Sequence, residues 1–469
     1  MLTDRIEYIL EYIKDNELFT NYNKNIFEIL EGNLLKSLHK TIDEQLSRRS
    51  AKIMKSRSIP INVLKKIIEK LSKLYFKNPE RITENKQNQV LIDWYVQELP
   101  VNISMRNANE SFNSYKNTSI EIFENEEKKQ VNMRTIPSHQ FLVWSDDIHN
   151  PLKPTGYIKF MGTYKKNDMI RNKYWSYTEN EFLSFDSEKE IIYKDMKLNE
   201  GVNPYGIIPF SYLTQSYYLI IPERDTDTLR MAVMIPLQLS EISFASMFLA
   251  NPVIYGVDLD IDELQMSPSQ FWDFKSTQEG KEPKIGVINP NLDMDQQVRY
   301  VLNLLSMWLE SRNIRAGSIA NIDGDNFASG IALAIREMDT TQHREMQEKY
   351  FNKFEQDFWR RLGTIHNKLA EVGRIENRQR FVDPETMKVE VKYADQKPIT
   401  DEQTVINNAI TLYNSGFISK KKAIKKINPE MTDKEIKKLL KEIDKEEGDI
   451  VGSQVAKVQS SDIEGIQPD

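Results

Sequence analysis

Residues 223–250, ERDTDTLRMAVMIPLQLSEISFASMFLA, constrain the fold most, because they read as one long helix with apolar side chains nearly all round. Such a helix has no face to give to water, so it is expected to be sandwiched between neighbours, within the chain or between chains. Pro236 is expected to kink it. No apolar run approaches the roughly 18 residues a membrane helix requires. The N-terminal MLTDRIEYILEYIKDNELF carries acids inside its apolar pattern, unlike a signal peptide, and a soluble protein is expected.

Helical periodicity surrounds a block of a different kind. Residues 3–47 place Ile, Leu and Phe at three- and four-residue spacing, and Pro60 is expected to open an amphipathic helix, INVLKKIIEKLSKLYF, with Val63, Leu64, Ile67, Ile68, Leu71, Leu74 and Tyr75 on one side. A further helix is expected over about 88–115. From Ser119 to about Tyr218 the runs become short, β-branched and aromatic, divided by Asn, Asp, Gly and Pro, which predicts an antiparallel β insert. NPYGIIPFSYL at 203–213 closes it. Strand-like NPVIYGVDL and PKIGVI follow, then a helix at 292–314 with Val298, Val301, Leu302, Leu305, Trp308 and Leu309 in one stripe. A helix of some forty residues is expected over 331–372, stopping at Gly373, with Tyr350, Phe354 and Phe358 stacked. A strand pair is expected around Phe381–Tyr393. In the tail, Thr400 with Gln403 and Thr432 with Glu435 read as capping boxes and Gly416 as a C-cap. Residues 448–469 turn polar and acidic and are expected to be disordered. The fold class is α+β, mainly helical, with the β insert between helical blocks.

Composition narrows the chemistry. The chain has 469 residues and no cysteine, which excludes disulfides, thiolate metal sites and cysteine nucleophiles. Its 63 basic and 70 acidic residues leave a net charge of -7, so any contact with nucleic acid has to be local or weak. The loop NIDGDNF at 321–327 begins like a calcium loop, but the twelfth residue from Asp323 is Ala334 where a bidentate Glu is needed. In VDLDIDEL, a strand would bring Asp258, Asp260 and Asp262 to one face, which suits Mg²⁺; a solvated edge or the lip of an interface is the plainer reading. Histidines at 39, 139, 149, 343 and 366 lack metal-site spacing, and His343 and His366 are expected to be solvated. The lysine-rich tail from Leu412 pairs Lys with Glu at i, i+4 and lacks the Arg, Asn or Gln of a recognition helix. No catalytic group, metal or cofactor emerges.

Several stretches, in order, resemble the portal proteins of tailed bacteriophages. PINVLKKIIEKLSKLYFKNPER resembles the portal helix that ends in an aromatic residue and an Asn-Pro step. IPSHQFLVWSDD resembles the β-domain motif in which Pro137 and Asp146–Asp147 frame a strand, and NPYGIIPF the Gly-Ile-Pro-Phe return to the stem. NFASGIALAIREM and LYNSGFISKKKAI resemble the Ser-Gly helix start and the later Asn-Ser-Gly turn.

The resemblance implies a homo-oligomeric ring, typically of twelve subunits, at a capsid vertex of the virion and assembled in the host cytoplasm. Double-stranded DNA would pass through it during packaging and ejection. Terminase, a head-tail adaptor, the major capsid protein and a scaffolding protein are the implied partners, with no membrane and no catalysis. Mapped here, the wing is residues 1–222 with the insert at about 119–218, the stem helices are 223–250 and 292–314, and the clip is 251–291. The tunnel loop is 315–330, the long wing helix and short strands 331–393, and the crown 394–447. The implied DNA-facing residues are Arg315, Ser318, Asn321, Asp323, Asp325, Asn326, Ser329 and Gly330, and the partner-docking ones Asp258, Asp260, Asp262, Glu263 and Trp272. Two other readings stand beside this one: a metal-dependent nucleic-acid enzyme using Asp258, Asp260 and Asp262, and a DNA-binding regulator built on the lysine-rich tail.

Overall fold

Apolar residues at helical spacing fold the first hundred residues into short packed helices: α1 (Leu2–Asp15), α2 (Glu17–Glu28), α3 (Leu34–Gln45), α4 (Arg48–Ser56) and α5 (Val63–Leu71). A π-helical turn at Ile29–Asn33 joins α2 to α3 and turns on Gly32, whose φ of 106° suits glycine. Asn62, not Pro60, starts α5; its side chain accepts from the Lys65 N–H at 2.9 Å. The helix ends at Leu71, short of Phe76, and Leu74 and Tyr75 are buried from the turn that follows. The segment expected as one helix over 88–115 is two, α6 (Lys86–Glu98) and α7 (Val101–Tyr115). Pro100 holds Leu99 extended, at φ -111° and ψ 153°, and that breaks the helix. The computed structural model describes residues 2–192, 201–250, 253–257, 284–288, 293–310, 341–377, 379–394, 402–427, 436 and 438–440. The described residues fall in two compact units, 1–394 and 395–469.

The β insert is two antiparallel sheets. One has the order β3 (Gln130–Ile136), β2 (Asn117–Asn125), β8 (Phe210–Thr214). The other runs β4 (Phe141–Trp144), β5 (Gly156–Lys166), β6 (Met169–Thr178), β7 (Phe182–Asp186). The two share a core in which the Tyr157 ring lies between Phe141 and Phe210, with centroids 5.4 and 3.7 Å away and interplanar angles of 18° and 7°. Its hydroxyl donates to Ser119 Oγ at 3.0 Å. Gly156 has to be a glycine here, because a Cβ would come within 1.8 Å of the buried Trp144 indole. The acidic pair beyond β4 ties the following turn: Trp144 Nε1 donates to Asp146 Oδ2 at 3.1 Å, and Asp147 Oδ1 accepts from the His149 and Asn150 N–H groups.

After the insert come α8 (Thr226–Ala250), the antiparallel pair β9 (Val253–Val257) and β10 (Lys284–Ile288), and α9 (Met294–Glu310). The helix α10 (Thr341–Glu371) then crosses the first unit as the spine of its largest core. Phe351, Phe354, Phe358, Trp359, Leu362 and Ile365 are buried there against Leu91, Tyr95, Val101, Phe112 and Ile122. The expected Tyr350–Phe354–Phe358 stack is replaced by contacts across elements and with chain neighbours. Tyr350 meets Phe112, Phe354 meets Phe351, and Phe358 meets Trp359. Within this core Arg81 and Glu355 form an ion pair whose side chains are 2% and 0% exposed.

α10 ends in a Schellman motif: the Arg374 N–H donates to the Leu369 carbonyl, the Gly373 N–H to Ala370, and Gly373 has a φ of 70°. The strand pair expected around 381–393 is a single strand, β11 (Glu390–Lys392), whose partner is β1 (Glu80–Ile82), three hundred residues earlier in register pairs such as Arg81↔Val391. In the second unit α11 (Glu402–Asn414) ends in a second Schellman motif at Gly416, φ 76°, before α12 (Lys420–Ile427). The two expected capping boxes and the segment 448–469 lie outside the described residues.

The histidines on α10 are not solvated. His366 is fully buried: Nε2 donates to the Gln379 carbonyl at 2.7 Å, so Nδ1 accepts from the Tyr95 hydroxyl at 2.6 Å. His343 sits among Asn113 Oδ1 at 3.0 Å and Gln347 Nε2 at 2.6 Å. Burial pushes both imidazoles below the usual value of 6.5, with the Gln379 contact opposing it at His366. Because the folded pKa lies below the unfolded one, stability is fully present above the unfolded value and is lost as pH falls through it toward the folded pKa. The denaturation midpoint is therefore expected to drop between pH about 7.5 and about 5.5, and His366→Gln to flatten that drop. An unchanged pH dependence in the variant refutes this assignment.

Candidate functional site

The helix that is apolar nearly all round is covered on two sides by its own chain. Ala232, Ile235 and Leu239 of α8 pack with Val301, Leu302, Leu305, Trp308 and Leu309 of α9 and with the apolar faces of α2 and α5. On the other side Leu237 packs with Leu38, Ile42, Ala51 and Met54 of α3 and α4. Met231, Val233, Met234, Ile242 and Phe244 remain half-buried. Asp225 caps the helix, its carboxylate accepting from the Thr228 N–H at 3.2 Å and lying 3.4 Å from Lys116 Nζ, while the Tyr22 hydroxyl donates to its carbonyl. Pro236 lies within a continuous helix. Ser240 Oγ donates to the Pro236 carbonyl at 2.7 Å and accepts from the Ile59 N–H at 2.9 Å, so it ties the turn that follows the proline to the segment before α5. Burial raises the pKa of Glu241, an acid on this otherwise apolar stretch.

α9 shows two stripes. The buried one is the stripe predicted from sequence, with Val298 partly buried at its edge. The other carries Tyr300, Asn303, Met307 and Glu310 in the open, with Tyr300 53% and Met307 67% exposed. Between the helices β9 and β10 pair residue for residue, Val253↔Ile288 to Val257↔Lys284, so the chain leaves for Asp258 and returns at Lys284 side by side. Asp258, Asp260, Asp262, Glu263 and Trp272 lie outside the described residues, as do Arg315, Ser318, Asn321, Asp323, Asp325, Asn326, Ser329 and Gly330. The described elements fix only what flanks them: β9 and β10 for the first group, the end of α9 and the start of α10 for the second. Among the described residues no group of three or more His, Asp or Glu is placed to hold a metal, and no helix is long and apolar enough to cross a membrane.

One group of charged residues escaped the sequence reading. Arg48, Arg49 and Lys52 lie exposed on α4, opposite the buried Ala51 and Met54. The signal was present: residues 36–57 hold seven Lys and Arg against Asp43 and Glu44, in a chain of net charge -7.

Residues 230–449 match the family model described as phage portal protein, SPP1 Gp6-like. No curated protein matches. Among solved structures, one described as "Neck of empty GTA particle computed with C6 symmetry" matches at 11% identity and a TM-score of 0.30, covering 80% of this chain and 92% of its own. The family match begins within α8 and takes in β9, β10, α9, α10, β11, α11 and α12; the β insert and α1 to α7 precede it. Over residues 230–449 the chain is similar to the phage portal proteins of the SPP1 Gp6-like family.

Proposed function

We propose that the chain forms a closed homo-oligomeric ring, a dodecamer, at a capsid vertex, and that double-stranded DNA passes through it during packaging and ejection. The observation that carries this reading is the family match over 230–449, which spans the unit made of α8, the β9–β10 hairpin and α9. In this reading α8 and α9 are stem helices and 251–291 the clip, with Asp258, Asp260, Asp262, Glu263 and Trp272 docking terminase or a head-tail adaptor. Residues 315–330 are the tunnel loop, in which Arg315, Ser318, Asn321, Asp323, Asp325, Asn326, Ser329 and Gly330 face the duplex. The wing is 1–222 and 331–393, and the crown 394–447. The half-buried apolar side chains of α8 and the exposed Tyr300 and Met307 of α9 are what a neighbouring subunit would cover, since a closed ring needs two different complementary faces on each copy. The net charge of -7 per chain, repeated around the ring, keeps the duplex from adhering to the wall. The work of translocation falls to terminase; the ring guides and does no chemistry. Capsid and scaffolding proteins complete the partners, with assembly in the host cytoplasm.

Twelve copies of a 55.0 kDa chain give about 660 kDa. Light scattering on the purified chain is expected to find that mass and negative-stain images to show annular particles. A monomer at every concentration tested, with no rings, refutes the proposal.

A further inference from the structure

We infer that the exposed face of α4 is a phosphate-backbone contact for duplex DNA, made by Arg48, Arg49 and Lys52. On a helix these three positions lie within about 100° of one another, with Arg48 and Lys52 one turn apart. Ala51 and Met54 hold the opposite side in the core with Leu237 of α8, so the cations are mounted on a fixed element. Like charges at i, i+4 destabilise a helix, and so do arginines in its first turn, where the macrodipole is already positive and α4 carries no acid. The placement costs folding stability in isolation, and a polyanion laid along the face relieves it.

Pairing separates this face from the other basic helix. Lys55 of α4 is paired with Asp43 of α3, whereas Arg48, Arg49 and Lys52 form no ion pair among the described residues. On α12, by contrast, Lys420, Lys421 and Lys425 all have partners. Two of the three free cations are arginines, whose planar fork binds phosphate oxygens two at a time. The face carries no aromatic, Asn or Gln side chain, and the contact inferred is to the phosphate backbone rather than to base edges. An acidic protein surface is the competing partner. The crowding of three cations with no apolar side chain among them favours phosphate, since a protein interface buries an apolar centre.

The inference does not need the ring. The test is fluorescence anisotropy of the full-length chain with a labelled, covalently closed DNA minicircle, which cannot thread a closed ring, alongside R48Q/R49Q/K52Q and the charge-keeping R48K/R49K. Each phosphate contact contributes about 0.9 to the slope of log affinity against log salt, so the triple variant is expected to lose about 2.7 from that slope. Between about 50 and 200 mM salt the wild-type chain then weakens about 40-fold more than the variant, while R48K/R49K keeps the wild-type slope. A circular dichroism melting temperature no lower than that of the wild type in both variants establishes that the face, not the fold, was altered. Equal slopes for wild type and R48Q/R49Q/K52Q overturn the inference, and so does binding to polyglutamate that depends on the same three residues with no binding to the minicircle. A monomer that binds the minicircle through these residues refutes the ring and leaves this inference standing.

Discussion

Replacing Glu355 by leucine is expected to cost about 3–5 kcal/mol, because it leaves the Arg81 guanidinium buried without its counter-charge. Arg81 Nε and Nη2 donate to the two Glu355 oxygens at 2.5 and 3.0 Å, and Nη1 donates to Asn102 Oδ1 at 2.8 Å. The Tyr75 hydroxyl and Trp359 Nε1 donate to the same carboxylate, at 2.8 and 3.2 Å. Burial works against the charged guanidinium, and Glu355 more than offsets it, holding Arg81 above its ordinary range. A loss of that size is a large part of the roughly 5–15 kcal/mol that holds a domain folded. The double variant Arg81→Met with Glu355→Leu is expected to recover part of it, since the uncompensated charge is gone while Trp359 Nε1 and Asn102 Oδ1 still lose their partners. Urea denaturation followed by tryptophan fluorescence measures both. A single-variant loss below about 1 kcal/mol means that Arg81 escapes to solvent and that the pair does not organise the core.

Tyr157→Ala is expected to cost about 3–5 kcal/mol by opening a cavity between Phe141 and Phe210, where no backbone shift in a seven-strand double sheet can close it. Tyr157→Phe keeps the stacked ring and removes one hydrogen bond to Ser119, so about 1 kcal/mol is expected. The contrast separates packing from polarity at one position. Similar losses in the two variants would assign the stabilisation to the hydroxyl instead. Because Tyr157 and Glu355 belong to different cores, their effects are expected to add.

Elements set by local pattern could be read directly. The buried stripe of α9, the long helix at 226–250, the β insert and the glycine stops at 373 and 416 follow from periodicity and from positive φ. What could not be read depended on residues far apart in sequence. β1 and β11 are three residues each, too short for any alternation, and each is a strand only because the other lies beside it. His366 stands among charged neighbours in sequence yet turns toward Tyr95 and Gln379. The spacing in the sequence places it on a helix but does not choose between water and core on its mixed flank. Pro60 favours a helix start by its fixed φ, but the Asn62 side chain supplies the cap. The candidate site divides in the same way. Its flanking helices and hairpin were evident from pattern, whereas the basic face of α4 becomes visible only once Ala51 and Met54 are known to point inward.

The pairing of Arg81 with Glu355 has a consequence for how the molecule is made. The two residues are 274 positions apart. At about 5–20 residues per second, a ribosome needs roughly 14–55 s to travel from one to the other. For most of that interval the nascent chain holds α6 and α7 without the α10 side chains that complete their core, and a lone guanidinium waits among them. The first unit is thus completed late, by an element made after α1 to α9, and the period before its arrival is when a holdase has the most to protect.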